Sequence, residues 1–181
     1  MSELINILIR TSNRAEQFKR CLQSVVSQNY DNIRIIVSAD REVNYIPAGL
    51  EVIKVSADKS LPYFYDCYCN DLKSLVNEGW FMFLDDDDIL VKNVLSQIEL
   101  NHKAIIHQLQ RQSTIVPKDL NFKRGLIGMP CLMLHHSLKN LADIPGTGCG
   151  DYVWVSEVMK RHPVVFRELI TVYSFGRGLG L

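Results

Sequence analysis

The clearest structural signal in this chain is the stretch Gly79–Leu90, GWFMFLDDDDIL. Its first part, Trp80–Leu84, is a short run of apolar residues with no polar alternation. Such a run is typical of a strand buried on both faces of a sheet. The strand leads directly into four adjacent aspartates, Asp85, Asp86, Asp87 and Asp88. From Ile89 onward the apolar pattern predicts a helix.

The four adjacent carboxylates indicate a site for a divalent cation. Like charges held this close repel one another, and an apolar strand end favours the neutral form of an acid. A bound cation reverses that balance. Oxygen ligands on one short loop suit Mg²⁺ or Mn²⁺, which retain waters and share the phosphates of a substrate. An acidic turn that starts a helix is the alternative, but it accounts for one or two aspartates rather than four.

The composition is that of an ordinary globular protein with one domain. The 181 residues are 47% hydrophobic and 22% charged, and 20 basic residues balance 20 acidic ones, so bulk charge indicates no particular partner. No apolar run has the length needed to span a bilayer, and the first residues do not resemble a signal peptide. The five cysteines are expected to be reduced thiols. These features predict a cytoplasmic protein.

The first half of the chain predicts a parallel sheet wrapped by helices. We expect strands at Leu4–Ile9, Ile33–Val37, Val52–Val55 and Trp80–Leu84, and helices at Ala15–Gln28, capped by Ser12 or Asn13, and Leu61–Asn77. Ligands of such sheets bind beyond the carboxyl ends of the strands. Three polar features follow strand ends here, namely Thr11–Asn13, Asp40 and the four aspartates.

The second half has less regular patterns. We expect a helix at about Val91–Lys103, a polar strand at His107–Thr114, a loop at Pro117–Lys123 and an apolar strand at Leu126–Leu134. A glycine-dense loop, Pro145–Gly150, precedes a predicted helix, Asp151–Arg161. Two final strands, Val164–Phe166 and Leu169–Tyr173, lead into a glycine-rich tail.

Taken together and in order, several stretches resemble family 2 of the inverting glycosyltransferases with the GT-A fold. Ile5–Arg14 resembles the first strand and loop of that family, and the match continues through Cys21–Val25, Gln28–Tyr30 and Ile33–Val37. Gly79–Leu90 resembles the strand with the metal-binding "DXD" signature. Gly150-Asp151 resembles the "ED" position, which supplies the catalytic base. The set is also similar to compact members from phages and large viruses.

The resemblance implies a single GT-A domain, a Rossmann-like and mostly parallel sheet flanked by helices. Residues 1–90 would bind the nucleotide sugar, which is expected to be UDP-linked, and residues 91–181 would bind the acceptor. The implied donor site consists of Thr11, Asn13, Asp40, Asn70, Asp85, Asp86 and Arg177, with Asp40 on the uracil base. Asp87 would be the main ligand of Mn²⁺ or Mg²⁺, with Asp85 on the ribose, the metal or its water. Asp151 would deprotonate the acceptor hydroxyl.

Departures from the family pattern leave two other functions open. Position 150 is Gly where the family has Glu, and the tail lacks the late His of many relatives. A nucleotide-sugar-binding protein without transfer activity is therefore one alternative. A nucleotidyltransferase of related fold is the other, although the Arg10–Arg14 loop lacks the glycines typical of such enzymes.

Two further clusters of charged or titratable residues allow more than one interpretation from the sequence. His135 and His136 follow an apolar strand, and adjacent strand residues point to opposite faces, so we expect no shared metal ion. Lys118, Lys123 and Arg124, with Arg111 upstream, form a basic patch that is either a solvated face or a grip for an anionic acceptor such as DNA. The acceptor itself stays open: a glycan, a lipid-linked sugar, a protein or a hydroxymethylated DNA base.

Overall fold

A computed structural model describes residues 2–12, 14–39, 52–56, 64–146 and 148–175. These residues form nine strands, three α-helices and three short 3₁₀ turns. The strands are β1 Ile5–Thr11, β2 Ile33–Ala39, β3 Val52–Ser56, β4 Trp80–Asp85, β5 Ile89–Leu90, β6 Ala104–Arg111, β7 Thr114–Val116, β8 Leu132–His135 and β9 Val165–Ser174. The helices are α1 Ala15–Val26, α2 Phe64–Ser74 and α3 Gly150–Arg161.

The described strands join one sheet in the order β3-β2-β1-β4-β8-β6-β9-β5, with β7 beside β6. Strands β1 to β4 are parallel to one another. Strand β8 is antiparallel to both β4 and β6, so β6 runs in the same direction as β4, and β9 is parallel to β6. Consequently β1, β2, β4, β6 and β9 all end at one side of the sheet, which we call the carboxyl edge.

Helix α1 packs on the sheet through Phe18, Cys21, Leu22 and Val25, which are buried, whereas Val26, which the spacing places on the same stripe, is exposed. The predicted cap is wrong, however. Arg14 occupies the position before the helix and makes no side-chain capping bond. Its guanidinium group instead contacts aspartates at the carboxyl edge, so ion pairing replaces capping at this helix end.

Gly79 sets the start of β4. Its φ is +69°, and an added Cβ would lie 2.3 Å from the carbonyl oxygen of Leu4. That carbonyl accepts a hydrogen bond from the main chain of Trp80 at 2.8 Å. The close approach holds β4 in register beside β1, and only glycine fits both the backbone angle and the space.

The helix predicted at Val91–Lys103 is wrong. Only a 3₁₀ turn, Leu95–Gln97, forms there, and Ile89–Leu90 pairs with β9 as the short strand β5. The side chain of Gln28 donates to the carbonyl of Val91 at 3.0 Å and accepts from the amide of Leu95 at 3.2 Å. The backbone groups of this segment thus form their hydrogen bonds with the side chain of Gln28, just after α1, and with β9, rather than within a helix.

Two other expectations for the second half need correction. The apolar run 126–134 forms a 3₁₀ turn, Met129–Cys131, before the short strand β8, because Pro130 has no amide hydrogen for a strand ladder. The two predicted final strands are one continuous strand, β9. It carries an irregularity in its pairing with β6 between Ile106 and Gln108.

No helix in the described ranges is long and apolar enough to cross a membrane. Among the described cysteines, Cys21, Cys69 and Cys131 are buried.

Candidate functional site

The four aspartates form a tight turn at the end of β4, closed by a 2.9 Å hydrogen bond from the amide of Asp88 to the carbonyl of Asp85. The exposure of the side chains alternates along this acidic turn. Asp86 and Asp88 are 0% and 2% exposed, whereas the side chains of Asp85 and Asp87 are 26% and 16% exposed. Two of the four carboxylates, separated by one residue, therefore reach the solvent at the carboxyl edge.

Residues from the end of β1 hold three of these carboxylates. Arg10 donates from Nε to Asp85 Oδ1 at 2.9 Å, and the two residues are register partners in neighbouring strands. The hydroxyl of Thr11 donates to Asp86 at 2.7 Å, and Arg14 also contacts Asp86. Arg14 further donates to Asp87 Oδ2 at 2.7 Å. These residues keep the acidic turn in place.

The arginines do not neutralise the whole cluster. Burial, followed by the charges of Asp85 and Asp87, raises the pKa of Asp88 to about 8, although hydrogen bonds from Ser174 and Phe175 lower it in part. Burial also raises the pKa of Asp86, against the hydrogen bond from Thr11. Four carboxylates against two guanidinium groups thus make full ionisation of the acidic turn unfavourable in this poorly solvated place.

This donor set fits a hard divalent cation. Asp85 and Asp87 offer carboxylate oxygens at the surface, and a cation there would favour the ionised form of the neighbouring buried carboxylates. Among the described residues, no group of three or more His, Cys, Asp and Glu side chains is arranged to hold a metal ion. The protein would therefore supply one or two ligands and leave the others to phosphate oxygens and water, as is usual for Mg²⁺.

Asp151 lies in the first turn of α3, next to the acidic turn. Its Oδ1 accepts a hydrogen bond from the amide of Tyr152 at 2.7 Å. Partial burial is the largest cause that raises the pKa of Asp151, and the charge of Asp85 adds to it, while Arg111 and Arg10 lower it. The charge of Asp85 thus acts on Asp151 at the carboxyl edge, and the role of Asp151 as a base stays a prediction.

Asn70 has a structural contact that the sequence does not predict. Its Nδ2 donates to the carbonyl of Ile144 at 2.9 Å, and its Oδ1 accepts from the amide of Ile144 at 3.1 Å. One helical turn later, the Nζ of Lys73 donates to the carbonyl of Ala142 at 2.6 Å. Helix α2 therefore fixes the chain that leads to the glycine-dense loop and Asp151. A contact of Asn70 with the donor stays a prediction.

Three predicted site residues, Asn13, Asp40 and Arg177, lie outside the described residues. Their roles stay predictions.

The two histidines differ from the expectation of opposite faces, since the ring centroids of His135 and His136 are 4.2 Å apart. The reason is that β8 ends at His135 and a 3₁₀ turn begins at His136, so strand alternation no longer applies.

Sequence reasoning missed the roles of Arg10 and Arg14, and it did not place Arg111 at this edge. The position of Arg10 at the end of a predicted strand was a signal, but its pairing with Asp85 depends on the order of the strands. Arg14 follows the strand in a loop, and no periodic pattern indicates where its side chain points.

Comparison with known proteins reveals a shared fold rather than a sequence relationship. Neither a protein family nor a curated protein sequence gives a significant match. The crystal structure of S. aureus TarS 1-349 superimposes with a TM-score of 0.74 over 95% of this chain at 14% identity. The same protein in complex with UDP-GlcNAc gives 0.71 over 98% at 14% identity. The mannosyltransferase PcManGT from Pyrobaculum calidifontis, in complex with GDP-Man and Mn²⁺, gives 0.66 over 99% at 13% identity.

This chain spans about 60% of the length of these solved structures. At such low identity the likeness shows the fold, and it confirms the predicted α/β architecture of the GT-A type.

Proposed function

We propose that this protein is a metal-dependent inverting glycosyltransferase that moves a sugar from a nucleoside-diphosphate sugar, UDP-linked, to an acceptor hydroxyl. One observation carries the proposal: the acidic turn ends β4, and α3, which holds Asp151 in its first turn, packs against β4 through an edge contact of Trp154 with Phe83, with ring centroids 5.5 Å apart. Solved structures of this fold hold UDP-GlcNAc, or GDP-Man with Mn²⁺. A donor-binding cluster and a separate base are the parts that such a transfer requires.

Asp87 and Asp85 would hold Mn²⁺ or Mg²⁺, with Asp87 as the main ligand. The ion, when bound, supplies charge neutralisation for the leaving diphosphate. Asp86 has a different role, because it is buried and bonded to Thr11 and Arg14. It stabilises the acidic turn from the interior of the protein and does not reach the solvent. Thr11 therefore acts on the donor site through Asp86.

Asp151 would act as the general base. Its carboxylate accepts the proton of the acceptor hydroxyl while the oxygen of that hydroxyl attacks the anomeric carbon. The bond between that carbon and the diphosphate oxygen breaks, and the nucleoside diphosphate leaves with the electron pair. Burial raises the pKa of Asp151, and a raised pKa makes the carboxylate a better proton acceptor at neutral pH.

The donor site is tested by calorimetry of UDP binding with Mn²⁺ and with EDTA. We expect UDP to bind much more tightly with Mn²⁺, and Asp87→Ala to remove the difference. Asp71→Ala is a matched control because Asp71 is an exposed aspartate on α2. Equal affinity of the unmodified protein for UDP in both buffers would refute the role of the metal.

A nucleotide-sugar-binding protein without transfer activity is the second candidate. It is favoured by Gly150, which begins α3 where the family pattern has a glutamate. Asp151→Asn separates the two functions when donor hydrolysis and UDP binding are measured together across a panel of nucleotide sugars. An enzyme retains UDP binding but loses turnover, whereas a binding protein shows no turnover before or after the substitution.

A further inference from the structure

A second charged feature of the carboxyl edge is not used by the donor site. Arg111 is the last residue of β6, and β6 ends on the same side of the sheet as β1 and β4. Its Nε is buried and has no hydrogen-bond partner among the described residues. A buried donor without a partner is costly, so its presence at this edge points to a missing acceptor.

Arg111 differs from the other two arginines of this edge. Arg10 and Arg14 form ion pairs with the acidic turn, whereas no acidic side chain of the described ranges lies within ion-pair distance of Arg111. Its charge nevertheless lowers the pKa of Asp151 and of Cys131. Arg111 is therefore close to the proposed base but not bound to it.

Three more cations belong to the same region. Lys118, Lys123 and Arg124 are exposed and form no ion pair within the described part of the chain. We call the stretch that carries them, Lys118–Arg124, the basic segment. Asp119 is its single acidic residue, and its Oδ1 accepts the amide of Asn121 at 2.6 Å. The segment thus keeps a net positive charge in a protein whose formal charge is zero.

Two contacts attach the basic segment to β6 and to α3. Before it, Gln108 of β6 donates to the carbonyl of Pro117 at 3.0 Å. Within it, the ring of Phe122 makes an edge contact with that of Tyr152, with centroids 6.2 Å apart. Tyr152 follows Asp151 directly in α3. The segment therefore lies beside the helix end that carries the proposed base.

We propose that Arg111 and the basic segment form a subsite for a phosphate group of the acceptor, next to Asp151. This inference rests on the proposed function, since it names the class of molecule that presents its hydroxyl to the base. A guanidinium group with an unsatisfied Nε can bind a phosphate through parallel hydrogen bonds, and lysines add charge without strict geometry. An acceptor phosphate would also offset the positive charge of Arg111 and the basic segment, which form no ion pair with the acidic turn.

The subsite is tested by calorimetric titration of the protein with inorganic phosphate in EDTA, without donor. We expect Arg111→Gln to weaken phosphate binding at least about tenfold, because it removes a charged donor pair. Lys103→Gln is the matched control, because Lys103 is an exposed cation next to the opposite end of β6. It should leave the affinity within about twofold, since the two ends are farther apart than a Debye length.

A second variant covers the case in which Arg111→Gln fails to fold. The double change Lys123→Gln with Arg124→Gln alters exposed side chains only, and it should weaken phosphate binding several-fold. Unchanged phosphate affinity in both variants, or an equal loss in Lys103→Gln, would overturn the subsite.

UDP binding with Mn²⁺, measured on the same proteins, separates this inference from the proposed function. If the subsite is real, Arg111→Gln loses phosphate but keeps UDP. If Arg111→Gln binds phosphate as tightly as the unmodified protein does, and the unmodified protein binds UDP, the subsite alone is refuted. Absence of UDP binding with an Arg111-dependent phosphate site would refute the donor function and leave the anion site in place.

Discussion

Substitution of Arg14 by alanine should increase the affinity of the protein for free Mn²⁺. Arg14 donates to Asp87 at 2.7 Å and contacts Asp86 as well. In the proposed function, Asp87 is the main ligand of the metal, so the ion must displace this guanidinium group. An ion pair as exposed as this one is worth up to about 1 kcal/mol. Its removal therefore corresponds to a dissociation constant roughly fivefold lower.

The same substitution should destabilise the protein without metal. Asp86 is fully buried and would keep only the hydrogen bond from Thr11. Loss of a charged partner from a buried carboxylate costs about 1–3 kcal/mol, at the lower end here because Arg14 is itself 36% exposed. For a chain of this size, a loss of about 1 kcal/mol corresponds to a melting temperature lower by about 2–4 °C. Added Mn²⁺ should restore more of the melting temperature in Arg14→Ala than in the unmodified protein.

The assay is calorimetry with Mn²⁺, supported by the electron paramagnetic resonance signal of free Mn²⁺. Arg20→Ala is the control, because Arg20 is an exposed residue of the same helix and the change in net charge is identical. It should alter Mn²⁺ affinity by less than about twofold. Equal or weaker Mn²⁺ binding by Arg14→Ala would refute the competition between the guanidinium group and the ion. An equal gain in Mn²⁺ affinity in Arg20→Ala would mean that the effect comes from the change in net charge alone.

Three further predictions concern the fold and the base. Gly79→Ala should lower the free energy of unfolding by more than 2 kcal/mol, because the added Cβ would meet the Leu4 carbonyl at 2.3 Å; Gly125→Ala, which has φ +82° but no neighbour within 4 Å, should cost only about 1 kcal/mol in the same urea titration. His107 is 1% exposed and burial lowers its pKa from 6.5 to about 4. The unfolded chain therefore binds the proton first, and stability should fall by up to roughly 3 kcal/mol as pH drops from 6.5 to 4. The His107→Leu variant should lack this part of the loss, and parallel curves for both proteins would contradict the burial argument. Transfer activity should fall with decreasing pH at a value above the ordinary aspartate range, since Asp151 must be ionised and burial raises its pKa. A pH–rate profile shows this limb, and UDP affinity measured over the same range separates the base from the donor site; activity that is flat down to pH 4 would exclude Asp151 as the base.

Local patterns were sufficient for most of the elements in the first half. Helix α1 and the buried strands β1 and β4 follow from apolar spacing, which depends only on neighbours in sequence. The failure at Val91–Lys103 shows the limit. An apolar pattern there is compatible with a helix, but Gln28 and β9 satisfy its backbone first.

The chain alone was enough to indicate a buried strand that ends in clustered carboxylates, because burial periodicity and like-charge repulsion are local properties. It could not indicate that Arg10 and Thr11 would bond to Asp85 and Asp86, 75 residues away. Nor could it indicate that Arg111 would end its strand beside Asp151. Those relations depend on strand order and direction, and the free energy that selects them comes from contacts between segments that have no fixed separation in sequence.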